Sequence, residues 1–382
     1  MSDSNPNDAA GSYEDTAPAT ETTNQSWFSR IGGALVGLLI GVLLVPGGSF
    51  LLFWNEGRAV TTARSLTEGA GVVRTVAAEQ VQAALEGQLV HVAGTVTGGT
   101  PPRDAELGVA PPAGTLRLVR QVEMYQWKEE QQSETRNRLG GGTETVTTYR
   151  YSRVWETGRI DSSRFREAGS HSNPQPRYSG QAWTARGARL GAFALGEAQL
   201  SLLPADQALG DPRAIGQDPA NPRIGDLRVS WRIIQPDAVS VLAAQVGEGF
   251  APYATRAGDR LMMVAPGRVP AATMFQQAEQ NNVVLTWVLR GGGALVVFLG
   301  FLLFLSPAKV LASFIPAVGG VVGFSTAVLA AVLTLLVAPL AIALAWLAYR
   351  PLLGIAVLAA GLLAALGVGL WRGLRPARAR AA

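Results

Sequence analysis

The sequence predicts an α+β membrane protein with four transmembrane helices and a large, mainly antiparallel β domain inserted between the first and the second. Apolar residues make up 48% of the 382 residues, but they are concentrated near the two ends of the chain. These apolar runs are comparable in length to the ~20 residues that a helix needs to cross a bilayer. The long middle segment has a soluble composition, and its alternating apolar and polar residues are typical of strands.

The first transmembrane helix is predicted at 31–54, an uncharged run of 24 residues between Trp27 and Trp54. Tryptophan is enriched at membrane interfaces, so both residues fit the ends of a span. The apolar core of a cleaved signal peptide is shorter, roughly 7–15 residues, and this segment is therefore interpreted as an uncleaved anchor. Residues 1–30 are polar and lack apolar periodicity, which predicts a disordered cytoplasmic tail.

The β-rich domain is predicted over residues 55–282. Its strand patterns are separated by Gly-rich and Pro-rich turns, which is typical of antiparallel sheets. Two helical segments are also predicted, at 77–85 and 271–282. The predicted strands lie at 88–96, 116–127, 143–155, 227–233, 239–246 and 260–264.

Three further spans are predicted after the β domain, at 283–305, 321–347 and 352–371. The uncharged stretch 310–347 is too short for two spans and a turn. Residues 306–320, which include Pro316 and two glycines, are therefore predicted to form an interfacial or re-entrant segment.

The C-terminal residues 372–382 form a basic tail that carries four arginines directly after the last span. Positive charge beside a span favours the cytoplasmic side, so the C-terminus is predicted to be cytoplasmic. An even number of spans then places the N-terminus in the cytoplasm and the β domain outside it. The bias to arginine over lysine and the heavy use of Ala and Gly indicate a GC-rich bacterial genome. The predicted location is therefore the bacterial inner (cytoplasmic) membrane, with the large domain in the periplasm.

The composition leaves little material for catalysis. The chain has no cysteine and only two histidines, His91 and His171, which are far apart in sequence. No phosphate-binding loop, dinucleotide fingerprint, metalloprotease motif or serine-hydrolase motif is present. We therefore expect no enzymatic activity, no catalytic residue, no metal and no cofactor. Much of the net charge of +4 comes from the C-terminal tail, so the charge indicates a membrane topology rather than nucleic-acid binding.

Several short strings carry a resemblance to a known family. The run Asn55-Glu-Gly-Arg58 follows the first span, Val122-Glu-Met-Tyr-Gln-Trp127 lies in a predicted strand, and Tyr349-Arg-Pro-Leu352 precedes the last span. Further strings are Tyr149-Arg-Tyr151, His171-Ser-Asn-Pro174 and Gly225-Asp-Leu-Arg-Val-Ser230. In this order around one long soluble insert, the strings resemble the transmembrane protein 43 (LUMA) family over nearly the whole chain from the first span to the last.

The resemblance implies a function that involves no catalysed reaction. Animal members look like self-associating scaffold proteins of the endoplasmic reticulum and inner nuclear membrane, and no enzymatic activity or cofactor comes with the family. We therefore expect a membrane scaffold that contacts the lipid bilayer, forms a homo-oligomer and organises membrane or envelope proteins whose identity is unknown. Two alternatives remain open, a channel or transport component and a membrane-anchored periplasmic hydrolase.

The strings also provide candidate contact residues. Asn55, Glu56 and Arg58 either anchor the first span among the lipid headgroups or contact lipid or a neighbouring subunit. Glu123, Tyr125 and Trp127 are spaced by two, so they share one face of a strand, which belongs to the core or to an interface. The third set, Tyr349 and Arg350, lies at a predicted tight turn between two spans.

Arg290 is the one charged residue within the predicted second span. An arginine at the bilayer centre costs at least about 2.5 kcal/mol. The span therefore either begins later, with the guanidinium reaching the headgroups, or Arg290 pairs with another group. The resemblance extends to its neighbourhood, so Arg290 is kept as a candidate interface or ion-pair residue.

Overall fold

The computed structural model of the protein describes residues 19–216, 220–313, 316–356, 359, 360 and 363. The helices are α1 (Trp27–Val72), α2 (Glu197–Leu200), α3 (Ala271–Phe304), α4 (Ser306–Ala312) and α5 (Pro316–Tyr349). The strands up to the middle of the chain are β1 (Ala19–Gln25), β2 (Arg74–Val76), β3 (Leu89–Thr97), β4 (Arg117–Asn137), β5 (Thr143–Glu156), β6 (Gln181–Thr184), β7 (Arg189–Leu190) and β8 (Phe193–Ala194). The remaining strands are β9 (Gln207–Ala208), β10 (Arg213–Ile215), β11 (Leu227–Ile234), β12 (Ala238–Val246), β13 (Gly249–Ala251), β14 (Tyr253–Ala254), β15 (Arg260–Leu261) and β16 (Met263–Pro266).

The described residues form two compact units. The β unit contains the described residues among 19–24, 65–136 and 144–277, and the helical unit contains those among 25–64, 137–143 and 278–363. Three segments of the described chain are long and apolar enough to cross a membrane: Trp27–Val72, Ala271–Ala312 and Val322–Tyr349. Together with the sheets, these helices confirm the α+β membrane class.

Two seven-stranded sheets make up most of the β unit. The first has the order β1-β5-β4-β11-β10, with β6 paired to β4 and β9 paired to β11. The second has the order β13-β12-β3-β7-β8, with β16 paired to β12 and β2 paired to β3. β2 and β3 are parallel, whereas the other strand pairs with a described register are antiparallel. All six predicted strand segments lie on observed strands.

The alternating pattern of β11 shows how these sheets bury their cores. Leu227, Val229, Trp231 and Ile233 are buried and point to one face, where Val122 and Met124 of β4 join them. The second sheet packs a separate core that includes Val92, Phe193 and Val241. Period-two alternation therefore identifies β11 correctly, because one face of the first sheet is buried. In the second sheet seven successive residues of β12 are buried, so both of its faces are covered.

A buried ion pair crosses the first sheet. Arg120 of β4 donates to both carboxylate oxygens of Asp104, at 3.0 and 3.1 Å, and both side chains are almost fully buried. The indole nitrogen of Trp231 also donates to Asp104, at 3.0 Å. Because the carboxylate is bonded from two strands, its burial is compensated by hydrogen bonds and opposite charge.

Two segments predicted from sequence differ in the structure. Residues 1–18 lie outside the described part, but 19–25 form β1 and α1 begins at Trp27, so the predicted disordered tail does not extend to residue 30. β1 is rich in threonine, which favours strands, and it can pair at an edge without an apolar face. The predicted helix at 77–85 is reduced to a 3₁₀ turn, Ala83–Leu85. Ala78 is buried instead, and its carbonyl accepts a hydrogen bond from Ala192.

The first and second predicted spans are parts of longer helices. α1 continues beyond residue 54 to Val72, and α3 joins the predicted helix 271–282 to the span 283–305. The C-terminal part of α1 belongs to the β unit, where Ser65 lies 2.8 Å from Thr255 and Glu68 accepts from the backbone of Arg256. These contacts provide polar partners for the helix end, so the β unit begins at about residue 65 rather than at the predicted residue 55.

The predicted re-entrant segment 306–320 is divided between two helices. α4 covers Ser306–Ala312, and α5 begins at Pro316 rather than at 321. Proline is favoured in the first turn of a helix, and glycine is frequent in transmembrane helices. Of the predicted fourth span, 352–371, residues 352–356, 359, 360 and 363 are helical, and the rest lies outside the described residues, as does the basic tail 372–382.

Four glycines set the contact between α1 and α3. A Cβ atom on Gly41 would lie 2.6 Å from both the carbonyl oxygen of Gly300 and the backbone nitrogen of Phe304. A Cβ on Gly48 would lie 3.0 Å from the backbone nitrogen of Val297, and one on Gly293 would meet Leu52 at 2.7 Å. Small residues allow helix backbones to approach closely in membranes. Gly293 therefore takes part in this close packing, whereas a Cβ on Gly291 or Gly292 would meet nothing within 4 Å.

We expect Gly41→Ala to destabilise the helical unit by about 1–3 kcal/mol, because its Cβ would overlap backbone atoms that cannot rotate away. Gly292→Ala is the matched control, since the same methyl group has open space and alanine favours a helix. Thermal unfolding in detergent, followed by intrinsic tryptophan fluorescence, measures both. Equal midpoints for the two variants would contradict a close contact at Gly41.

Candidate functional site

The main polar site of the helical unit joins three helices. Glu56 of α1 accepts hydrogen bonds from Arg290 of α3, with Nε to Oε1 at 2.6 Å and Nη2 to Oε2 at 2.9 Å. The indole nitrogen of Trp346 of α5 donates to the same Oε2 at 2.9 Å. The side chain of Glu56 is 3% exposed and that of Arg290 is 19% exposed. We call Glu56, Arg290 and Trp346 the Glu56 cluster.

The chemistry of the Glu56 cluster depends on the shape of the guanidinium group. The two parallel bonds from Arg290 to one carboxylate are bidentate, a geometry that the single ammonium of lysine cannot reproduce. The guanidinium also lies over the ring of Trp287, with its central carbon 4.6 Å from the ring centroid. Arg290 therefore has an ion-pair partner and an aromatic neighbour. The sequence left two alternatives, a guanidinium that reaches the headgroups or one that pairs with another group, and the structure shows the pair.

A second set of bonds continues the network between α1 and α3. The side-chain nitrogen of Asn55, which is fully buried, donates to the carbonyl oxygen of Thr286 at 3.1 Å. Arg58 donates to the side-chain oxygens of Asn282 and Thr286, both at 3.0 Å, and to that of Asn55 at 3.3–3.4 Å. Asn282 in turn donates to the carbonyl of Ala59 at 3.0 Å. The polar side chains in this part of α1 and α3 thus bond to the partner helix.

Tyr349 occupies the space that Gly57 leaves open. A Cβ on Gly57 would lie 2.6 Å from the tyrosine ring, and the ring of Phe53 lies 5.4 Å from it between centroids. The backbone carbonyl of Tyr349 accepts from Arg64 at 2.9 Å. Arg350, the neighbouring candidate, has an exposed side chain, and its backbone nitrogen bonds to Trp346. The structure therefore brings Asn55, Glu56, Arg58, Arg290 and Tyr349 into one region.

The candidates on β4 lie in the β unit and form a different set. Glu123 and Tyr125 are half-buried, and the core lies on the opposite face, where Val122 and Met124 are buried. Of the two alternatives from sequence, core or interface, Glu123 and Tyr125 therefore do not belong to the core. Glu123 forms an ion pair with Arg228 at 2.7 Å, and the ring of Tyr125 lies 5.2 Å from that of Trp155. Charged and aromatic side chains cover each other on this face, and the face is half-buried.

Trp127 is buried within an aromatic cluster. His171 stacks on Tyr151 at 3.7 Å between ring centroids and contacts Trp127 edge-on at 4.6 Å. The side chain of Asn173 bonds to both the backbone nitrogen and the carbonyl of Trp127, at 2.7 and 2.8 Å. Burial, followed by the hydrogen bond to Glu129, raises the pKa of Tyr151 to about 12, so its hydroxyl stays protonated at neutral pH.

The surroundings of His171 do not form a catalytic triad. A triad uses one ring nitrogen to face the nucleophile and the other to face an acid. Here Ser170 Oγ lies 3.0 Å from Nδ1, and Glu167 approaches the same nitrogen at 3.7 Å. No group of three potential metal ligands lies together among the residues that the structure describes. The aromatic cluster is consistent with a packing role.

Sequence reasoning missed three residues of the helical network. Trp346, Thr286 and Asn282 lie on α5 and α3, each more than 200 residues from its partner on α1. One signal was available, since Asn282, Thr286 and Arg290 recur every four residues and so share one helix face. Such a polar stripe at the start of a span predicts a buried contact.

Comparison with known proteins identifies the family of the chain. A sequence model described as transmembrane protein 43 matches residues 124–212 and 213–351, which together are more than half of the chain. The human transmembrane protein 43 is 30% identical over 386 aligned positions, covering 92% of this chain and 95% of the human protein.

The chain belongs to the transmembrane protein 43 family. The mouse protein of that name is 28% identical and covers 90% of this chain and 92% of its own length, and the Drosophila homolog is 29% identical and covers 85% and 91%. No solved structure matches the chain. Members of the transmembrane protein 43 family are named for their place in the membrane, and these names specify no reaction.

We expect Glu56→Gln to cost about 3–5 kcal/mol of stability, because it leaves the charge of Arg290 buried without its partner. Arg290→Lys should lose part of the same energy, since lysine cannot form the bidentate pair. Thermal unfolding in nanodiscs measures both variants. The control is Glu279→Gln, an exposed acid on α3.

A double variant separates this pair from general damage to the helices. Glu56→Gln combined with Arg290→Gln removes both charges, so it should be less destabilised than the sum of the single variants. Strictly additive losses would contradict direct coupling between the two side chains.

Proposed function

We propose that this protein is a non-enzymatic membrane scaffold that self-associates and organises other membrane or envelope proteins. The observation that carries the proposal is the Glu56 cluster. Both carboxylate oxygens of Glu56 are used to hold α3 and α5, and the charge of Arg290 is compensated within the bundle. A site for proton or ion movement keeps groups that can change partners, whereas these groups act as fixed links between helices.

The outward faces of the helices support association in the bilayer. Large apolar side chains are exposed along each long helix, for example Leu43 at 72%, Trp287 at 64% and Leu335 at 73%. Lipid alone can cover such surfaces, but a second copy can cover them equally well, because van der Waals packing drives helix association in membranes. Polar bonds between the described helices and an apolar exterior support the scaffold proposal.

Self-association is tested with two differently tagged forms of the full chain. Co-expressed in one membrane, the forms should co-purify, and light scattering with the detergent mass subtracted should give a discrete oligomer. Mixing the two forms only after extraction is the control for exchange in detergent. A strictly monomeric protein in mild detergents and in nanodiscs would contradict the scaffold proposal and would reopen the hydrolase alternative.

The channel alternative receives its own measurement. Liposomes that contain the purified protein should show no ion conductance above that of empty liposomes. Discrete conductance steps that disappear in Glu56→Gln would favour a pore that uses the Glu56 cluster over a scaffold.

We further propose a four-span topology in the bacterial inner membrane, with both termini in the cytoplasm and the β domain in the periplasm. The charges near the N-terminal end of α1 support it. Arg30 donates to the side chain of Ser313 at 2.9 Å, and Trp27 donates to the carbonyl of Val310 at 3.2 Å. This brings Arg30 and the segment that carries Lys309 to the same end of the helical unit, as the positive-inside rule favours.

The pairing of β1 with β5 makes this topology testable. β1 precedes the first span and β5 follows it, so a single crossing at 31–54 would hold the two strands on opposite sides of the bilayer. In the structure they are neighbours, and Tyr149 of β5 donates to Glu21 of β1 at 3.1 Å. The proposed topology therefore requires β1 to leave β5 in a membrane.

We expect no crosslink between Glu21→Cys and Tyr149→Cys in native membranes treated with a short bismaleimide. The natural chain has no cysteine, so only introduced thiols react. The control is Ser133→Cys with Thr147→Cys, whose hydroxyls lie 3.0 Å apart across β4 and β5 on one side of the membrane. Efficient crosslinking of positions 21 and 149 would overturn the topology and place residues 19–25 beside the β domain.

A further inference from the structure

The outer edge of β6 carries backbone groups without partners. β6 pairs with β4 on one side, with Trp183 opposite Leu118 and Ala182 opposite Val119. The nitrogen of Ala185 donates to Leu116 of the β4 segment, so the odd-numbered residues of this stretch bond to that side. The backbone N–H and C=O groups of successive strand residues point to opposite sides of the strand. Those of Ala182 and Thr184 therefore point away from β4. None of these four groups has a hydrogen-bond partner within the described part of the chain.

The next residue in the outward series shows how this edge accepts a strand. Arg186 exchanges two backbone hydrogen bonds with Thr100, at 2.8 and 3.1 Å, in an antiparallel bridge. Pro101 and Pro102 follow, and proline has no N–H with which to continue a ladder. The chain therefore covers the edge at Arg186 and leaves it uncovered at Thr184 and Ala182.

An open cavity of about 560 Å³ lies along the uncovered edge. Its lining includes Thr100, the two prolines, Arg103, all of 182–187 and Glu197. This volume is within the range of about 300–1,000 Å³ that is typical of ligand sites. A groove that presents free strand groups on one wall fits an extended polypeptide, which binds by adding a strand to the sheet.

The charges in the groove select the kind of peptide. The side chains of Arg103 and Arg186 are exposed and have no ion pair or hydrogen bond among the residues that the structure describes. Glu197 is the one acid in the lining, so the groove has an excess of positive charge. Arginine prefers carboxylates, which it can bind with two bonds.

We propose that the β6 edge, with Arg103 and Arg186, is a docking groove for an extended acidic peptide segment of a partner protein. The backbone groups of Ala182 and Thr184 hold the main chain of the peptide, and the two arginines hold its carboxylates. The groove lies within the β unit and shares no residue with the Glu56 cluster, so peptide binding is tested independently of self-association.

The test uses the full chain in nanodiscs and two fluorescent peptides, one of alternating Thr and Glu and one of alternating Thr and Lys. Fluorescence anisotropy should show binding of the acidic peptide and little binding of the basic one. Ala182→Pro should weaken the acidic peptide about tenfold, since it removes one outward N–H and places a ring in the groove. The fold should tolerate this proline, because the lost N–H does not bond to β4. Ala182→Ser keeps the N–H and is the matched control.

A charge reversal guards against loss of binding through unfolding. Arg103→Glu combined with Arg186→Glu should lose the acidic peptide and gain the basic one. Equal binding of the two peptides by the natural protein, or equal binding of the acidic peptide by Ala182→Pro, would overturn the proposal. If neither peptide binds but Ala182→Pro lowers the oligomeric mass, the edge is covered by a second copy of the chain, and the acidic-peptide proposal is wrong.

Discussion

The helical unit depends on one constraint, that a charge on a membrane helix needs a partner. An arginine at the bilayer centre costs at least about 2.5 kcal/mol, and an unpaired buried carboxylate is also costly. Arg290 and Glu56 offset part of both costs by bonding to each other, and Trp346 supplies a further donor to the carboxylate. All three groups are satisfied because α1, α3 and α5 meet at Glu56. The pair therefore restricts the helix arrangement more than apolar packing alone, which is non-directional.

The glycines and the polar network fix the same helix register by different means. Gly41 faces Gly300, Gly48 faces Val297 and Asn55 reaches Thr286, so contacts move forward on α1 as they move backward on α3. Each glycine allows a close backbone approach, and each polar bond requires one. A shift by one helical turn would place side chains where Gly41 and Gly48 leave space and would also separate Asn55 from its acceptor. Close packing and hydrogen bonding therefore favour a single antiparallel alignment.

Local sequence patterns predicted the elements, but they could not predict the partners. The alternation in 227–233 and the uncharged run at 31–54 reflect the immediate surroundings of each residue, and both segments have the predicted structure. The pairing of Glu56 with Arg290 joins positions 234 residues apart, and no local pattern encodes that distance. β1 was missed because an edge strand made of polar residues has no apolar periodicity. The position of the Glu123 face stayed open between core and interface because period-two spacing identifies a shared face but not which face is buried.

The string Asn55-Glu-Gly-Arg58 has a physical explanation that sequence reasoning gave only in part. Interpreted alone, the string resembles a headgroup anchor, since polar residues often follow a span. In the bundle, each of its four residues contacts another helix. Asn55 and Arg58 bond to α3, Glu56 bonds to α3 and α5, and Gly57 leaves room for the ring of Tyr349. An anchor in the headgroups would accept many polar substitutes, whereas these contacts require an amide, a carboxylate, the absence of a side chain and a forked donor. The string is therefore best understood as the contact surface that α1 presents to the other two helices.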